Sequence, residues 1–345
     1  MSFSVGIIGL PNAGKSTLFK ALTKEKVDIA SYPFTTIDPN VGIVPVPDKK
    51  LEKIASAINP QKITETIIEF VDIAGLVKNA HKGEGLGNQF LGHIRNCDAI
   101  VEVIRMFEGS DIEHIEGKIN PEEDIKIIGN ELLMKDLETA EKTIEEIKDE
   151  PKKKEILERI KKELSQKKPI RDITLTEKEK KEIKEYQFLT VKPKIYLFNT
   201  KEQKTANNEQ KIKNLLSVHY SLFIDLKTEE EASELSLSEK EELEIKPQLD
   251  QLILACYNIL GLITFYTIVG KKEARAWTLK KGSPVLEAAG RVHSDFEERF
   301  IKAEVIPWQN LFEATSWIKA KEIGQVKTAG KEYIVQDGDV IEFKI

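Results

Sequence analysis

The stretch "VGIIGLPNAGKSTLFKALT", residues 5–23, decides the fold. It begins as an apolar run typical of a buried strand and ends as an amphipathic helix. Between the two lies the spacing Gly9-x-x-x-x-Gly14-Lys15-Ser16, the sequence of a phosphate-binding loop. Because the motif stands in its required context of strand, loop and helix, it predicts an α/β fold with a P-loop nucleotide-binding domain.

The residue types in this loop suit a nucleoside triphosphate. The two glycines permit backbone angles and a close approach that a Cβ atom would block. The amides of residues 12–17 should point into one concavity at the positive end of the following helix. Lys15 should reach the β- and γ-phosphates as a catalytic group, and the Ser16 hydroxyl should ligate Mg²⁺. The nucleotide-binding residues predicted here are Asn12, Ala13, Gly14, Lys15, Ser16 and Thr17.

A second strand ends in a candidate metal-binding carboxylate. The stretch "IIEFVDIAGL", residues 67–76, is an apolar strand followed by Asp72-x-x-Gly75. A carboxylate at a strand end can hold the Mg²⁺ shell, and the Gly75 amide can contact the γ-phosphate. This short motif is specific for two reasons: it follows an apolar strand, and it has the appropriate spacing from the P-loop lysine.

Two further positions belong to the same region. The connecting loop "SYPFTTIDPNVGIVPVPD", residues 31–48, contains Thr35 and Thr36. One of them should contact the metal and the γ-phosphate, and we favour Thr36. Leu76 stands where Ras-like proteins place the glutamine that orients the attacking water. Since leucine cannot hydrogen-bond a water, either the protein binds nucleotide and barely hydrolyses it, or another group positions the water.

The stretch "KPKIYLFNTKEQ", residues 192–203, bears on the choice of base. Guanine-specific P-loop proteins carry N-K-x-D after this strand, and the aspartate accepts hydrogen bonds from the guanine N1–H and exocyclic amine. Here Asn199 is followed by Thr200, Lys201 and Glu202, so this guanine lock is altered. Asn199 can offer its amide to the N6/N7 edge of adenine. With Asn199 and Thr200 as base-side residues, we predict a preference for ATP over GTP.

Several strings resemble those of one family, the YchF family of Obg-like ATPases. They include "GLPNAGKST", "FVDIAGLVKNAHKGEGLGNQFLGHIR", "RAWTLKKGSPVLEAAGRVHSDFEERF" and "YIVQDGDVI", in the family's order over nearly the whole chain. The resemblance implies slow ATP hydrolysis and an association with ribosomes, at the large subunit, and with RNA. It also implies K⁺ as an activator, coordinated with the help of Asn12. A catalytic histidine would replace the missing glutamine, and that residue maps to His114.

The chain is predicted to fold in three parts. Residues 1–120 and 189–261 form the P-loop domain, and residues 121–188 interrupt it. The insertion is dense in Glu and Lys, with apolar residues at helical spacing on both sides of Pro151. This pattern predicts a helical hairpin or short coiled coil. Residues 262–345 carry short strands with one helix, which fits a β-grasp fold, and by resemblance this part is a TGS domain.

Three elements of the C-terminal part are predicted individually. The strings "ITFYTIV" and "EARAWTLKKG" should pair as a hairpin, and "SPVLEAAGRVHSDF" should form a helix. The string "YIVQDGDVIEFKI" should form a second hairpin across Asp337-Gly338. Whether this part binds RNA or only packs on the P-loop domain stays open, because no exposed array of aromatic and basic residues is evident.

Composition limits the class of protein. Hydrophobic residues make up 40% and charged residues 32% of the chain, as in soluble globular proteins. The net charge of −6 gives no expectation of nucleic-acid or membrane binding through bulk charge. No apolar run approaches the length of a membrane span, and the N-terminus lacks the basic region of a signal peptide. Cys97 and Cys256 should be buried free thiols, and we expect a cytoplasmic protein that is a monomer when free.

Three functions remain open on the sequence. The first is an Mg²⁺-dependent ATPase that acts on the translation machinery. The second is a guanine-specific GTPase of the same architecture. The third is a non-catalytic scaffold that binds ribosomes or RNA under the control of a nucleotide. Residues 199–202 discriminate between the first two, and Leu76 and His114 bear on the third.

Overall fold

The structure, a computed structural model, describes residues 3–24, 38, 40–73, 86–107, 119–201, 220–243, 245 and 247–345. The strands are β1 (Phe3–Ile8), β2 (Val41–Pro45), β3 (Lys62–Thr64), β4 (Ile67–Asp72), β5 (Ala99–Arg105), β6 (Lys194–Asn199), β7 (Ser221–Ile224), β8 (Leu262–Val269), β9 (Glu273–Lys280), β10 (Lys302–Pro307), β11 (Lys327–Ala329) and β12 (Asp339–Lys344). The α-helices are α1 (Lys15–Thr23), α2 (Lys49–Ile58), α3 (Leu86–Asn96), α4 (Pro121–Glu146), α5 (Pro151–Ser165), α6 (Glu177–Ile183), α7 (Leu226–Ala232), α8 (Leu237–Glu242), α9 (Leu249–Ile259), α10 (Val285–Val292), α11 (Ser294–Glu298), α12 (Trp308–Ala314) and α13 (Trp317–Glu322).

The first sheet has the strand order β2-β4-β1-β5-β6-β7. All neighbouring strands in it are parallel except the edge strand β2, which is antiparallel to β4. Strands β1, β5 and β6 are apolar and buried along most of their length, as expected for parallel strands that are covered on both faces. The carboxyl ends of β1, β4 and β6 therefore meet at one edge of the sheet, where ligands bind in open α/β folds.

Helices cover both faces of this sheet. On one face, α1 and α9 pack on the strands through a core that includes Leu18, Leu22, Leu252 and Cys256. On the other face, α3 and the first turns of α4 contribute Leu91, Ile94, Ile128 and Leu132. Cys97 and Cys256 are buried free thiols, as the sequence predicted. Burial raises the pKa of the Cys97 thiol to about 11, so this thiol stays protonated near neutral pH.

Helices α4 and α5 form a helical hairpin, and the start of α4 packs on the first sheet. Asn120 caps the N-terminus of α4, and Pro151 occupies the first turn of α5, where its missing N–H is tolerated. The two helices share an apolar core of their own, which includes Ala140, Ile144, Leu157, Ile160 and Leu164. The predicted hairpin, with Pro151 next to its tip, is confirmed.

The second sheet has the order β11-β10-β12-β8-β9-β3. Strands β8 and β9 form the predicted antiparallel hairpin. One face of the sheet packs on α10 and the other on α2 and α12. Its last strand, β3, comes from the segment between β2 and β4 of the first sheet. Two residues separate β3 from β4, so one extended segment takes part in both sheets.

Two expectations for the C-terminal part were wrong in detail. The predicted helix over residues 283–296 is divided at His293, whose extended backbone ends α10 and begins α11. The predicted hairpin across Asp337-Gly338 does not form. Its second strand, β12, pairs with β10 and β8 instead, because Gly338 donates to the Thr264 carbonyl and the preceding residues bond elsewhere. Val335, for example, donates to the Ser283 carbonyl at 3.1 Å.

Candidate nucleotide-binding site

The P-loop joins β1 to α1, and two glycines are required there. Gly9 has a φ of +156°, and a Cβ atom on it would lie 2.5 Å from the Val103 carbonyl oxygen. Gly14 has a φ of +110°, and a Cβ atom there would lie 2.4 Å from the Asn199 amide nitrogen. Both glycines therefore allow the loop to pass close to the ends of neighbouring strands, and side chains at either position would push it away.

The first turn of α1 presents the groups that bind phosphate in such loops. The first backbone amides of a helix have no acceptor within the helix itself. Gly14 precedes α1 and provides no side-chain cap for them. Ser16 is exposed and Thr17 is half-buried on this turn. Asn12, which precedes them, is exposed and has a left-handed φ of +64°. The arrangement suits an anion at the positive end of α1.

Lys15 lies inside this loop with its ammonium group at the Leu10 carbonyl, 3.0 Å away. Burial lowers the pKa of Lys15, and the negative charge of Asp72 opposes that shift. Burial also raises the pKa of Asp72, and Lys15 opposes that shift in turn. The two side chains thus interact electrostatically within one partly desolvated cleft, as a lysine for phosphate and a carboxylate for a metal should.

Asp72 reaches the site because β4 lies next to β1. Ile7 pairs with Asp72 in the parallel ladder, and the Ile73 amide donates to the Ile7 carbonyl at 3.2 Å. On the other side, the Asp72 amide donates to the carbonyl of Asn40, just before β2, at 2.8 Å. The carboxyl end of β4 is therefore bonded on both sides, and it lies beside the start of the P-loop at Gly9.

Asn199, at the end of β6, is bonded to the P-loop. Its amide nitrogen donates to the Ala13 carbonyl at 3.0 Å, and its amide oxygen accepts from the Leu226 amide at 3.3 Å. The side chain is 5% exposed. An amide has a second N–H and a second lone pair, so the predicted contact with adenine stays a prediction. The structure adds a role in holding the P-loop that sequence reasoning had missed.

The neighbours of Asn199 are also buried. Thr200 is 7% exposed, and its backbone amide donates to the Ile224 carbonyl at 3.0 Å. Asp225 and Leu226 directly follow the next strand, β7. The Asp225 carboxylate caps α7 by accepting from the amides of its first turn, and Leu226 is fully buried. The sequence feature that could have predicted this helix cap is an aspartate placed directly before a helical segment.

The described residues fit Mg²⁺ together with a bound nucleotide. Ser16 and Asp72 supply hydroxyl and carboxylate oxygens, the hard ligands that this ion prefers. Over the ranges that the structure describes, no cluster of three or more His, Cys, Asp or Glu side chains is present. Nucleotide-bound Mg²⁺ needs only one or two protein ligands besides phosphate oxygens and waters, so this donor set is compatible with it.

Six residues named from the sequence, counting both threonines of the connecting loop, fall in segments outside the described ranges. They are Thr35, Thr36, Gly75, Leu76, His114 and Glu202. Their expected roles stay predictions. The residues that the structure does bring together are the P-loop, Asp72, Asn199 and Thr200.

Two family models match separate parts of the chain. Residues 262–345 match the family model of the C-terminal domain of YchF GTPases, described as a protein of unknown function. Residues 4–162 match a family described as 50S ribosome-binding GTPase. The protein "Ribosome-binding ATPase YchF" of Bacillus subtilis is 46% identical over 364 residues, which cover 100% of this chain and 99% of the relative. The protein of that name from Escherichia coli O157:H7 is 41% identical and covers 99% of both chains. This chain belongs to the YchF family.

A solved structure of the YchF family agrees with this fold along almost the whole chain. The Schizosaccharomyces pombe YchF GTPase is 35% identical, with a TM-score of 0.88 and coverage of 99% of this chain and 98% of the other. The resemblance drawn from the motifs is thereby confirmed, and so is the α/β class with a P-loop domain, a helical insertion and a C-terminal YchF domain. None of the helices in the described ranges is long and apolar enough to span a membrane.

Proposed function

We propose that this protein is an Mg²⁺-dependent ATPase that prefers ATP over GTP and associates with ribosomes. The observation that carries the proposal is the convergence of the P-loop, Lys15 and Asp72 at one sheet edge. The YchF relatives in Bacillus subtilis and Escherichia coli are named ribosome-binding ATPases, which supports the same reading. The division into residues 1–120 with 189–261, 121–188 and 262–345 belongs to this proposal, with a TGS domain as the last part.

The described residues would act mainly by binding and orientation. The first amides of α1 and the Lys15 ammonium would hold the β- and γ-phosphates, where negative charge accumulates during phosphoryl transfer. Ser16 and Asp72, with Thr36, would hold Mg²⁺, which neutralises phosphate charge when bound. Partial burial strengthens these interactions, since water competes less for the same groups. K⁺ beside Asn12 would add a second positive charge.

The remaining steps fall on residues in the segments outside the described ranges. Leu76 cannot position the attacking water, so His114 is proposed to orient it or accept its proton. The Gly75 amide would contact the γ-phosphate. Asn199 would use its remaining donor and acceptor on the adenine edge, with Thr200 beside it. Glu202 stands in place of the guanine-binding aspartate, so the guanine lock is altered and Asn199 is the proposed base contact.

A guanine-specific GTPase is the second candidate. The Schizosaccharomyces pombe relative is titled a GTPase, and the N-terminal match is described as a GTPase family. Turnover of ATP and GTP should be measured side by side, in K⁺ and in Na⁺, with and without ribosomes. We expect kcat/KM to favour ATP by more than about 100-fold, within the roughly 10⁴-fold range that lost base hydrogen bonds allow. Equal or better use of GTP would contradict the ATP assignment.

Catalysis can be separated from nucleotide-controlled binding with histidine variants. His114→Ala should lower K⁺-stimulated turnover by about 100-fold, the usual contribution of a general base or water-orienting group, and leave ATP affinity unchanged. His293→Ala is the matched control, because His293 lies in the C-terminal part of the chain, where its side chain contacts Asp295 at the start of α11. Unchanged turnover in His114→Ala would remove this histidine from the mechanism. No measurable turnover in the wild-type protein would favour the scaffold.

The partner and state of the protein are tested by sedimentation. We propose that the protein is cytoplasmic and a monomer when free, and that it binds the large ribosomal subunit through RNA contacts. Co-sedimentation with purified large and small subunits, with ATP or ADP present, should show binding to the large subunit. Equal retention on both subunits would contradict that choice of partner.

A further inference from the structure

The extended segment that ends in Asp72 begins at the edge of the second sheet. Strand β3 pairs in parallel with β9, from Lys62↔Glu273 to Thr64↔Arg275. After two residues the same extended segment continues as β4 and ends at Asp72. A metal-binding carboxylate of the first sheet is therefore attached, by a short stretch of backbone, to the edge of the second sheet.

Side chains strengthen this attachment. The Thr64 hydroxyl, which is buried, donates to the Glu273 carboxylate at 2.6 Å. The hydroxyl of Thr66, also buried, is hydrogen-bonded to that of Thr278 on β9. Between the two sheets the segment thus has partners on the C-terminal side, and it cannot shift along its axis without breaking them.

Helix α2, which lies between β2 and β3 in sequence, packs on the second sheet. Leu51 and Ile54 are fully buried in a core with Tyr266, Ala274 and Leu311 of the C-terminal domain. The helix is therefore part of the hydrophobic core of the C-terminal domain, although the strands β2 and β4 that flank this region of the chain belong to the first sheet. Its position is set by burial of its apolar face.

Four side chains fasten the start of α2 to the C-terminal domain, and we call them the Asp48 clamp: Asp48, Lys50, Tyr266 and Asp337. The Tyr266 hydroxyl donates to the two carboxylate oxygens of Asp48, at 2.8 and 3.0 Å. Lys50 forms an ion pair with Asp337, and Asp337 accepts from the Thr264 amide of β8 at 3.0 Å. Tyr266 is fully buried, and burial together with Asp48 raises the pKa of its phenol, so the phenol remains a donor at neutral pH.

The clamp is connected to Asp72 through β2. Strand β2 pairs with β4 from Val41↔Val71 to Pro45↔Ile67. Beyond one end of this ladder, the Val46 amide donates to the Thr66 carbonyl at 2.9 Å, two residues before Asp48. Beyond the other end, the Asp72 amide donates to the Asn40 carbonyl at 2.8 Å. The edge strand is thus fixed at one end by the C-terminal domain and bonded at the other to the residue that would hold the metal.

We infer that Tyr266 of the C-terminal domain is a positioning residue for the Asp72 carboxylate, acting through Asp48 and the β2–β4 ladder. This inference rests on the proposed Mg²⁺-nucleotide site. The P-loop is supported separately, by β1, α1 and Asn199, so the clamp acts on the metal side of the site. A partner that alters the C-terminal domain at this contact would therefore change Mg²⁺ affinity more than phosphate affinity.

The test is Tyr266→Phe in the full-length protein, which removes one hydroxyl and keeps the buried ring. We expect the Mg²⁺ concentration for half-maximal binding to the ADP-loaded protein to rise about three- to tenfold, the usual range for coupling through such a network. Affinity for ADP measured in EDTA should stay within about twofold, since P-loop contacts are unchanged. In the nucleotide-free protein, hydrogen exchange at the Asp72 amide should become about threefold faster or more.

The matched control is Tyr333→Phe. The Tyr333 hydroxyl also donates to a carboxylate, that of Asp339, at 2.8 Å, but this contact lies within the C-terminal domain and does not involve α2. The Tyr333→Phe substitution should lower stability to a similar degree. It should leave the Mg²⁺ concentration for half-maximal binding and the exchange rate at the Asp72 amide at wild-type values. Asp48→Ala should change both readouts as Tyr266→Phe does. Asp48→Asn retains an acceptor oxygen for the helix cap and the phenol, so it should bring both readouts most of the way back to wild-type values.

The outcomes separate the inference from the proposed function. A wild-type value for either readout in Tyr266→Phe overturns the inference, and so does an equal change in Tyr333→Phe. If the wild-type protein shows no Mg²⁺-dependent binding of ADP, the proposed function fails. In that case the exchange rate at the Asp72 amide alone decides whether Tyr266 positions that residue.

Discussion

The P-loop and the strand that ends in Asp72 lie side by side in one sheet, yet they are supported by different parts of the chain. The P-loop is held by groups of its own domain, with Gly14 packed against Asn199 and Ala13 bonded to the same side chain. Asp72 lies on a segment shared with the second sheet. The difference predicts that phosphate binding would depend on a local motif, whereas metal binding would depend on how the two domains pack.

The largest effect is expected from Gly14→Ala, which disturbs only the P-loop side. The new Cβ atom would meet the Asn199 amide nitrogen at 2.4 Å, and alanine at a φ of +110° is strained. Nucleotide affinity, measured by calorimetry with and without Mg²⁺, should fall at least about 100-fold, or roughly 2.7 kcal/mol.

Gly282→Ala is the matched control for this prediction. Gly282 has a φ of +89° and lies between β9 and α10, where a Cβ atom would meet nothing within 4 Å. The substitution carries the same kind of backbone strain without a clash, so nucleotide affinity should be unchanged. If both variants bind nucleotide like the wild type, the close packing of Gly14 on Asn199 is unimportant.

A smaller effect on the same side is expected from Asn199→Ala. The change leaves the Ala13 carbonyl and the Leu226 amide without their buried partner, which costs about 1–3 kcal/mol of unfolding free energy. Nucleotide affinity should fall about tenfold, because the loop loses its attachment to β6. Denaturant unfolding and calorimetry measure the two quantities separately.

Asn120→Ala provides the comparison for that variant. The Asn120 side chain also accepts from a backbone amide, that of Glu123, at the start of α4. Loss of this cap should cost about 1 kcal/mol and leave nucleotide affinity unaltered. A stable Asn199→Ala protein with wild-type affinity would contradict the structural role of Asn199.

The smallest effect concerns Asp72 and has a defined dependence on pH. Burial raises the pKa of Asp72, with Lys15 opposing the shift. A carboxyl group with a higher pKa in the folded than in the unfolded state contributes stability at low pH, and this contribution is lost as the pH rises through the folded-state pKa. Without nucleotide, Asp72→Asn should therefore be more stable than the wild type at pH 8, by less than about 1 kcal/mol because the side chain is partly exposed.

The gain in Asp72→Asn should disappear as the pH falls below the folded-state pKa of Asp72, where the wild-type carboxyl group becomes protonated. Asp136→Asn is the contrast, because the Asp136 carboxylate accepts hydrogen bonds from the Leu189 amide and from the amide and hydroxyl of Thr190. That variant should be less stable than the wild type at pH 8 and at the lower pH, by about 1–3 kcal/mol. A lower melting temperature for Asp72→Asn at pH 8 would show that its charge stabilises the free protein.

The sequence by itself determined the features that depend on local chemistry. Gly9 and Gly14 mark the P-loop because only glycine fits those backbone positions, and Asp72 follows an apolar strand whose place beside β1 is set by the fold class. The helical hairpin around Pro151 could be predicted for a similar reason. The spacing of apolar residues and the position of a proline affect the local structure within a few residues.

Only the tertiary structure decided which sheet edge each short segment joins. The three residues of β3 carry no pattern that selects the second sheet, and the turn at Asp337-Gly338 bonds to β8 where a local hairpin was expected. Sheet pairing depends on neighbours distant in sequence, and so do the bonds of Asn199 and of the Asp48 clamp. The P-loop could therefore be predicted from nineteen consecutive residues, whereas the support of Asp72 required both domains in place.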